Sequence, residues 1–183
     1  MDTTKKVRVV AVSGGFDPVH VGHVRMFIEA KKLGDKLVVI LNNDNWLRAK
    51  KGYAFMPEAE RKEVIESFGA VDEVILTRHE PESLDMSVCR ELEMIRPHVF
   101  GNGGDRKHDN VPEYALCEKL GIEMAFDLGR GGKVQSSSWL LLGYMDEYPC
   151  TCGALNPATG KKYKYKECGL VDAPHHKEKK AAT

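Results

Sequence analysis

The sequence carries no surplus of either charge, no apolar run long enough to cross a membrane, and no internal repeat. Lys and Arg together number 27 and Asp and Glu number 27, so no global field draws the chain toward nucleic acid or a membrane surface. Any basic preference must be local. A membrane span needs about 20 apolar residues in succession, and no stretch approaches that. The opening MDTTKKVRVVAVSGG holds only a short apolar run, too brief for a signal-peptide core followed by a cleavage site. A cytoplasmic protein is expected. Cysteine is sparse, five in all, and in such a chain reads as thiols or metal ligands rather than disulfides. What is present, 42% hydrophobic and 30% charged residues over 183 positions, suits one globular domain with a small appendage and argues against disorder.

Apolar runs alternate with helical patterns along the first three quarters. Val7 to Val12 and Leu37 to Leu41 are β-branched and apolar, as strands buried on both faces should be. Between them Val24, Phe27, Ile28 and Lys31 fall at helical spacing, with Gly34 as a stop. Pro57 opens a second helix, with Val64, Ile65 and Phe68 inward and Gly69 at its end. Glu73 to Thr77 reads as a strand. Leu84, Val88, Leu92 and Ile95 form the next apolar stripe, and Pro97 stops that helix before a strand at His98 to Gly101. Pro112 opens a helix closed by Gly121, Ile122 to Phe126 is a fifth strand, and SSSWLLLGY offers serine N-caps to a last helix. The alternation predicts an α/β fold, a five-stranded parallel sheet with helices on both faces. A composition change near Gly143 to Pro149 divides a domain at 1–145 from an extension at 146–183.

Chemistry concentrates just after the first strand, in SGGFDPVHVGHVR. Ligands of parallel α/β sheets bind beyond the carboxyl ends of the strands. Gly14 and Gly15 would let backbone approach a ligand, and a helix starting near Gly22 aims free N–H groups and its positive dipole end at the same place. His20 and His23, three apart, would point two imidazoles at one phosphate chain. Capping or metal ligation is the alternative for the pair.

GGFDPVHVGH resembles the signature of the cytidylyltransferase-like nucleotidyltransferases, Gly-x-Phe-Asp-x-x-His-x-Gly-His, matched at Gly14 or Gly15, Phe16, Asp17, His20, Gly22 and His23. AKKLGDKLVVILNND, PEAERKEVIESFGAVDEVI, VFGNGGDRK and GGKVQSSSWL resemble later family segments in the same order, so the likeness spans about residues 7 to 142. It implies a Rossmann-like doubly wound sheet, transfer of a nucleoside monophosphate from a nucleoside triphosphate (NTP) to a phosphorylated small molecule with release of pyrophosphate, Mg²⁺ travelling with the NTP, and a homodimer. No nucleophile-base pair stands out, and none is required. An acceptor phosphate is already anionic, and positioning with charge neutralisation supplies the catalysis.

By the resemblance, His20 and His23 donate to the triphosphate, in a tautomer that sequence does not choose. Lys50 and Lys51 lie in a linker where the family commonly has a phosphate-contacting lysine; Arg48 is a neighbour, and solvated surface charge is the other reading. Arg61 falls on an amphipathic helix, where arginine is usually a surface residue, and only the family match lifts it toward phosphate or acceptor binding. Asp17 binds a phosphate-associated metal or orders the loop by accepting backbone hydrogen bonds. Gly104 and Asp105 are expected beside the base or ribose. Ser136 and Ser137 can cap a helix while facing a phosphate, and Arg130, with Lys133 competing, stands before that serine motif. The Gly103-Gly104-Asp105 segment resembles the adenylyl-transferring heptose branch, whereas the second-strand and AVDEVI segments resemble glycerol-phosphate cytidylyltransferases; CTP is favoured slightly over ATP.

In the extension, Cys150, Cys152, Cys168 and His175, with His176 beside it, make an S₃N set of the kind a structural Zn²⁺ takes. Incidental thiols on a flexible tail are the alternative. From Lys161 to Thr183 seven lysines face three acidic residues, which keeps a nucleic-acid-binding tail in view, although neutral overall charge counts against it. A non-catalytic nucleotide sensor is the remaining rival. Cys89 and Cys117 read as core residues.

Overall fold

A computed structural model describes residues 6–104, 106, 111–129 and 135–147. The elements run β1 (Val9–Gly14), α1 (Val21–Lys31), β2 (Lys36–Leu41), α2 (Asp44–Lys51), α3 (Glu58–Glu66), β3 (Glu73–Leu76), α4 (Cys89–Ile95), β4 (Val99–Gly103), α5 (Tyr114–Leu120), β5 (Glu123–Leu128) and α6 (Ser137–Glu147). All five strands pair in parallel, in the order β3-β2-β1-β4-β5. The chain winds outward from β1 through β2 to β3, then returns to the other side of β1. Between β1 and β4 the connections diverge to opposite sides, which opens a crevice at the carboxyl ends of those strands. The fold is the Rossmann-like α/β arrangement expected from the alternation.

Side-chain alternation along β1 sorts two cores. Val10 and Val12 join Met26, Phe27 and Ala30 of α1 and Ile65 of α3 on one face. Ala11 joins Leu92 of α4, Phe100 of β4 and Cys117 of α5 on the other. Residues such as Phe27, Leu37, Ile65 and Leu92 have no exposed surface, and each contributes about 1.5–3 kcal/mol of burial. The chain divides into two units, Met1–Ser137 and Ser138–Thr183; the site below belongs to the first.

Four local expectations are corrected. The stretch holding Lys50 and Lys51, expected as a linker, contains α2. Asn43 caps it by accepting from the Trp46 N–H at 3.0 Å, Trp46 and Leu47 are buried, and Gly52 ends it at φ +83. The apolar stripe from Leu84 does not begin a helix: Leu84 is 99% exposed and α4 starts only at Cys89. Asp85 accepts from the Ser87 N–H at 2.9 Å, so local turn chemistry wins over apolar spacing. Val64 of α3 and Ile28 of α1 face outward, while Arg61 takes the inward place. Cys117 is a core residue as expected, but Cys89 is only half-buried.

Candidate active site

The mouth of the crevice is built by the residues between β1 and α1. Gly14 and Gly15 are dictated by protein packing. A Cβ on Gly14 would lie 2.9 Å from the Phe16 ring, and one on Gly15 would lie 2.7 Å from Leu47 Cδ2. The expected role is bare backbone offered to a ligand; what the structure displays is a steric requirement. Phe16 is held at φ +48, where a bulky side chain is strained, and its ring packs edge-on against His23 at 4.9 Å and Phe27 at 5.2 Å.

Asp17 is fully buried, and its two carboxylate oxygens accept from the Phe55 and Met56 N–H groups, each at 2.7 Å. Of its two readings, the structure displays loop ordering: Asp17 ties the motif to the segment following α2. Arg61 departs most from expectation. It has no exposed surface, and its guanidinium donates to the carbonyls of Met56 (2.9 Å), Gly15 (2.7 Å) and Asn42 (2.8 Å) and to Asp44 Oδ1 (2.6 Å). A residue expected at a substrate instead braces β1, β2, α2 and α3 together.

His20 and His23 sit at the start of α1 with rings stacked 3.7 Å apart, 24° from parallel. Gly22 N–H donates to His20 Nδ1 at 3.1 Å, and His20 N–H donates to His23 Nδ1 at 3.3 Å, a reciprocal cap of the helix. An Nδ1 that accepts cannot carry a proton, so both imidazoles are neutral with the hydrogen on Nε2. Burial lowers the His20 pKa, with Lys51 adding to it. Burial, His20 and Lys51 together press His23 down to about 3. The cap therefore answers what sequence left open: each ring presents an N–H donor at its outer nitrogen.

The two lysines at the end of α2 part company. Lys51 reaches the Asp17 carbonyl at 3.4 Å and so joins the histidines; burial lowers its pKa, with Asp17 opposing and Arg61 adding. Lys50 lines a cavity, its ammonium 4.4 Å over the Trp46 ring. Burial lowers its pKa, Arg106 and Lys51 add, and Glu113 opposes. Arg48 is exposed and pairs loosely with Asp44 at 3.6 Å.

Ser137 Oγ donates to the Pro18 carbonyl at 2.8 Å, and Ser136 N–H donates to Gln135 Oε1. Gly104 turns the chain out of β4 at φ +71. Gly22 supplies the N–H that fixes His20. Asp105, Arg130, Cys150, Cys152, Cys168 and His175 lie outside the described residues. Among the described residues no three His, Cys, Asp or Glu side chains gather as a metal site, and no helix is long and apolar enough to cross a membrane. Sequence reasoning missed Asn42, Trp46, Arg106 and Glu113, which line the cavity with Lys50. Asn42 carried a usable signal, being the first polar residue beyond an apolar strand at the ligand-binding end.

The profile of the cytidylyltransferase-like family matches residues 11–102. The FAD synthase of Ferroglobus placidus is 39% identical over 117 residues, 64% of this chain and 72% of that protein. The bifunctional protein HldE of Streptomyces coelicolor is 37% identical over 116 residues, 62% of this chain and 24% of its own length. Among solved structures, the lipopolysaccharide core biosynthesis protein of Thermoplasma volcanium superposes with a TM-score of 0.56 at 29% identity, covering 67% of this chain and 95% of that one.

Proposed function

The chain belongs to the cytidylyltransferase-like family of nucleotidyltransferases, and from that premise we propose that it transfers AMP from ATP to a phosphorylated small molecule, releasing pyrophosphate. ATP takes the place of the CTP that two sequence segments favour. FAD synthase is named for a product that contains an AMP unit, and that name supports an adenylyl donor here. The observation that carries the reading is the pair of neutral imidazoles with their Nε2–H groups free of the helix cap.

In the proposed step an oxygen of the acceptor phosphate forms a bond to the α-phosphorus while the bond from α-phosphorus to the bridging oxygen breaks. The electron pair leaves with pyrophosphate. No proton needs to be removed from the nucleophile. His20 and His23 donate to the phosphate oxygens that gain charge, and Lys51 adds a cation beside them. Asp17 and Arg61 act through the loop they hold. Mg²⁺ is proposed as the partner of the triphosphate, bound by phosphate oxygens and water. That fits a carboxylate at Asp17 whose oxygens are both engaged.

A pyrophosphate-release screen of ATP and CTP against glycerol 3-phosphate, sugar 1-phosphates and FMN tests the proposal. His23→Asn places an amide oxygen where Nδ1 accepts and removes the Nε2 donor, so the helix cap survives. The expected loss of kcat is about 10²–10³-fold. Absence of turnover with every pair would overturn the reading and favour a nucleotide sensor.

A further inference from the structure

The connection from β3 to α4, residues 77–88, is longer than the about 4–6 residues usual between elements. Burial does not hold its tip, since Leu84 is exposed there. Ser83 and Asp85 make side-chain bonds that reach two residues, within the tip. His79 spans the loop instead. Its ring is half-buried, with Nε2 3.0 Å from the Ser87 carbonyl and Nδ1 2.9 Å from Thr77 Oγ1. A carbonyl accepts and cannot donate, so Nε2 carries a hydrogen. The Asn43 N–H donates to the same Thr77 oxygen at 3.0 Å, which leaves the Thr77 hydroxyl hydrogen for Nδ1 of a neutral ring.

The same residue holds α2. The His79 carbonyl accepts from Asn43 Nδ2 at 2.8 Å and from Asn45 Nδ2 at 3.0 Å, and Asn43 is the residue that caps α2 on the Trp46 N–H. The Trp46 indole N–H donates in turn to the carbonyl of Met86, the neighbour of Ser87, at 2.9 Å. Lys50 lies over the Trp46 ring, and Trp46, Lys50, Met86 and Val88 line one cavity of about 330 Å³. One imidazole thus closes a circuit from α2 through the start of the loop to its end and back to α2.

We propose that His79 is a positioning residue of the active site: its Nε2–H bond to Ser87 fixes the loop end that holds Trp46, and with Trp46 the ammonium of Lys50. Its part in turnover rests on the nucleotidyl-transfer reading, whereas the positioning of Trp46 stands apart from it.

Two variants separate the two ring nitrogens. His79→Gln keeps a donor at the Nε2 position, while His79→Asn keeps an acceptor toward Thr77 and loses the bond to Ser87. The NTP and acceptor pair that turns over best is assayed where urea curves show each variant folded. There kcat/KM falls about 10–100-fold in His79→Asn and stays within about threefold of wild type in His79→Gln. A Trp139→Phe background leaves Trp46 as the one tryptophan; its emission moves to longer wavelength in His79→Asn and returns in His79→Gln. If the emission behaves so but no NTP and acceptor pair reacts with the wild type, the transfer reading falls and the positioning of Trp46 stands. Unshifted emission in His79→Asn overturns the proposal whatever the turnover. So does a lowered urea midpoint with kcat/KM unchanged in an active enzyme, or His79→Gln behaving like His79→Asn.

Discussion

Replacing Arg61 with methionine removes one side chain that satisfies four acceptors at once. The guanidinium has no exposed surface and reaches Met56 O, Gly15 O, Asn42 O and Asp44 Oδ1 at 2.6–2.9 Å. Methionine fills much of the volume, so the loss is almost purely polar. Breaking a buried ion pair by deleting one partner costs about 3–5 kcal/mol. The Asp44 side chain is 16% exposed and regains some water, which puts that loss near the lower end. Three carbonyls are then left without a donor, and any that water does not reach adds roughly 1 kcal/mol. The sum is about 4–5 kcal/mol, a large part of the roughly 5–15 kcal/mol that holds a domain folded. For a unit of this size a kcal/mol moves Tm by about 3–5 °C, so a fall of about 15 °C is expected. Urea unfolding should show a lower midpoint at unchanged m. Arg61→Lys should restore less than half, because one ammonium cannot span four acceptors in a plane. An unchanged midpoint with a raised acceptor KM would refute the reasoning and return Arg61 to the substrate.

The imidazoles, the motif aspartate and the second glycine give further tests. Long-range ¹H–¹⁵N spectra at pH 7 should show both His20 and His23 with the proton on Nε2; an Nδ1–H or imidazolium pattern for His23 would contradict the cap geometry. His23 titrates near 3 when folded against an ordinary 6.5, so the unfolded chain binds the extra proton between those values. Stability is therefore full above pH 6.5 and falls as pH drops toward 3, and His23→Asn should flatten the urea midpoint between pH 7 and 5. Asp17→Asn turns one acceptor toward the Phe55 or Met56 N–H into a donor and should cost about 2–4 kcal/mol, with the Mg²⁺ dependence of turnover unmoved; a raised Mg²⁺ requirement at unchanged Tm would assign the metal role instead. Gly15→Ala sets a Cβ 2.7 Å from Leu47 Cδ2 and should cost about 1–3 kcal/mol, part of it recovered in a Gly15→Ala, Leu47→Ala double variant.

The strands were legible because both faces of this sheet are covered. Val10, Ala11 and Val12 point alternately into two cores and are all fully buried, so the sequence shows an unbroken apolar run that only a doubly packed strand requires. The histidine pair was legible because spacing and helix start are local properties. α2 was not, since its start depends on one asparagine side chain and its amphipathic pattern is crowded with Asp, Asn, Arg and Lys.

Arg61 shows where pattern reading stops. The buried stripe of α3 runs through Arg61 and Ile65, and half-buried Phe68 just past the helix end packs against the same core as Ile65. Its first member is charged, so a rule that sorts residues by polarity assigns it to solvent and promotes Val64 in its place. What reverses the assignment is non-local: carbonyls just past β1 and β2, another before α3 and an α2 carboxylate converge on one point, and only a planar five-donor group can satisfy them together. The same convergence stays incomplete at two other buried groups, Asn42 and Glu113. At Arg61 the ring of partners closes within the chain, whereas Asn42 Oδ1 and Glu113 Oε2 have no donor among the described residues.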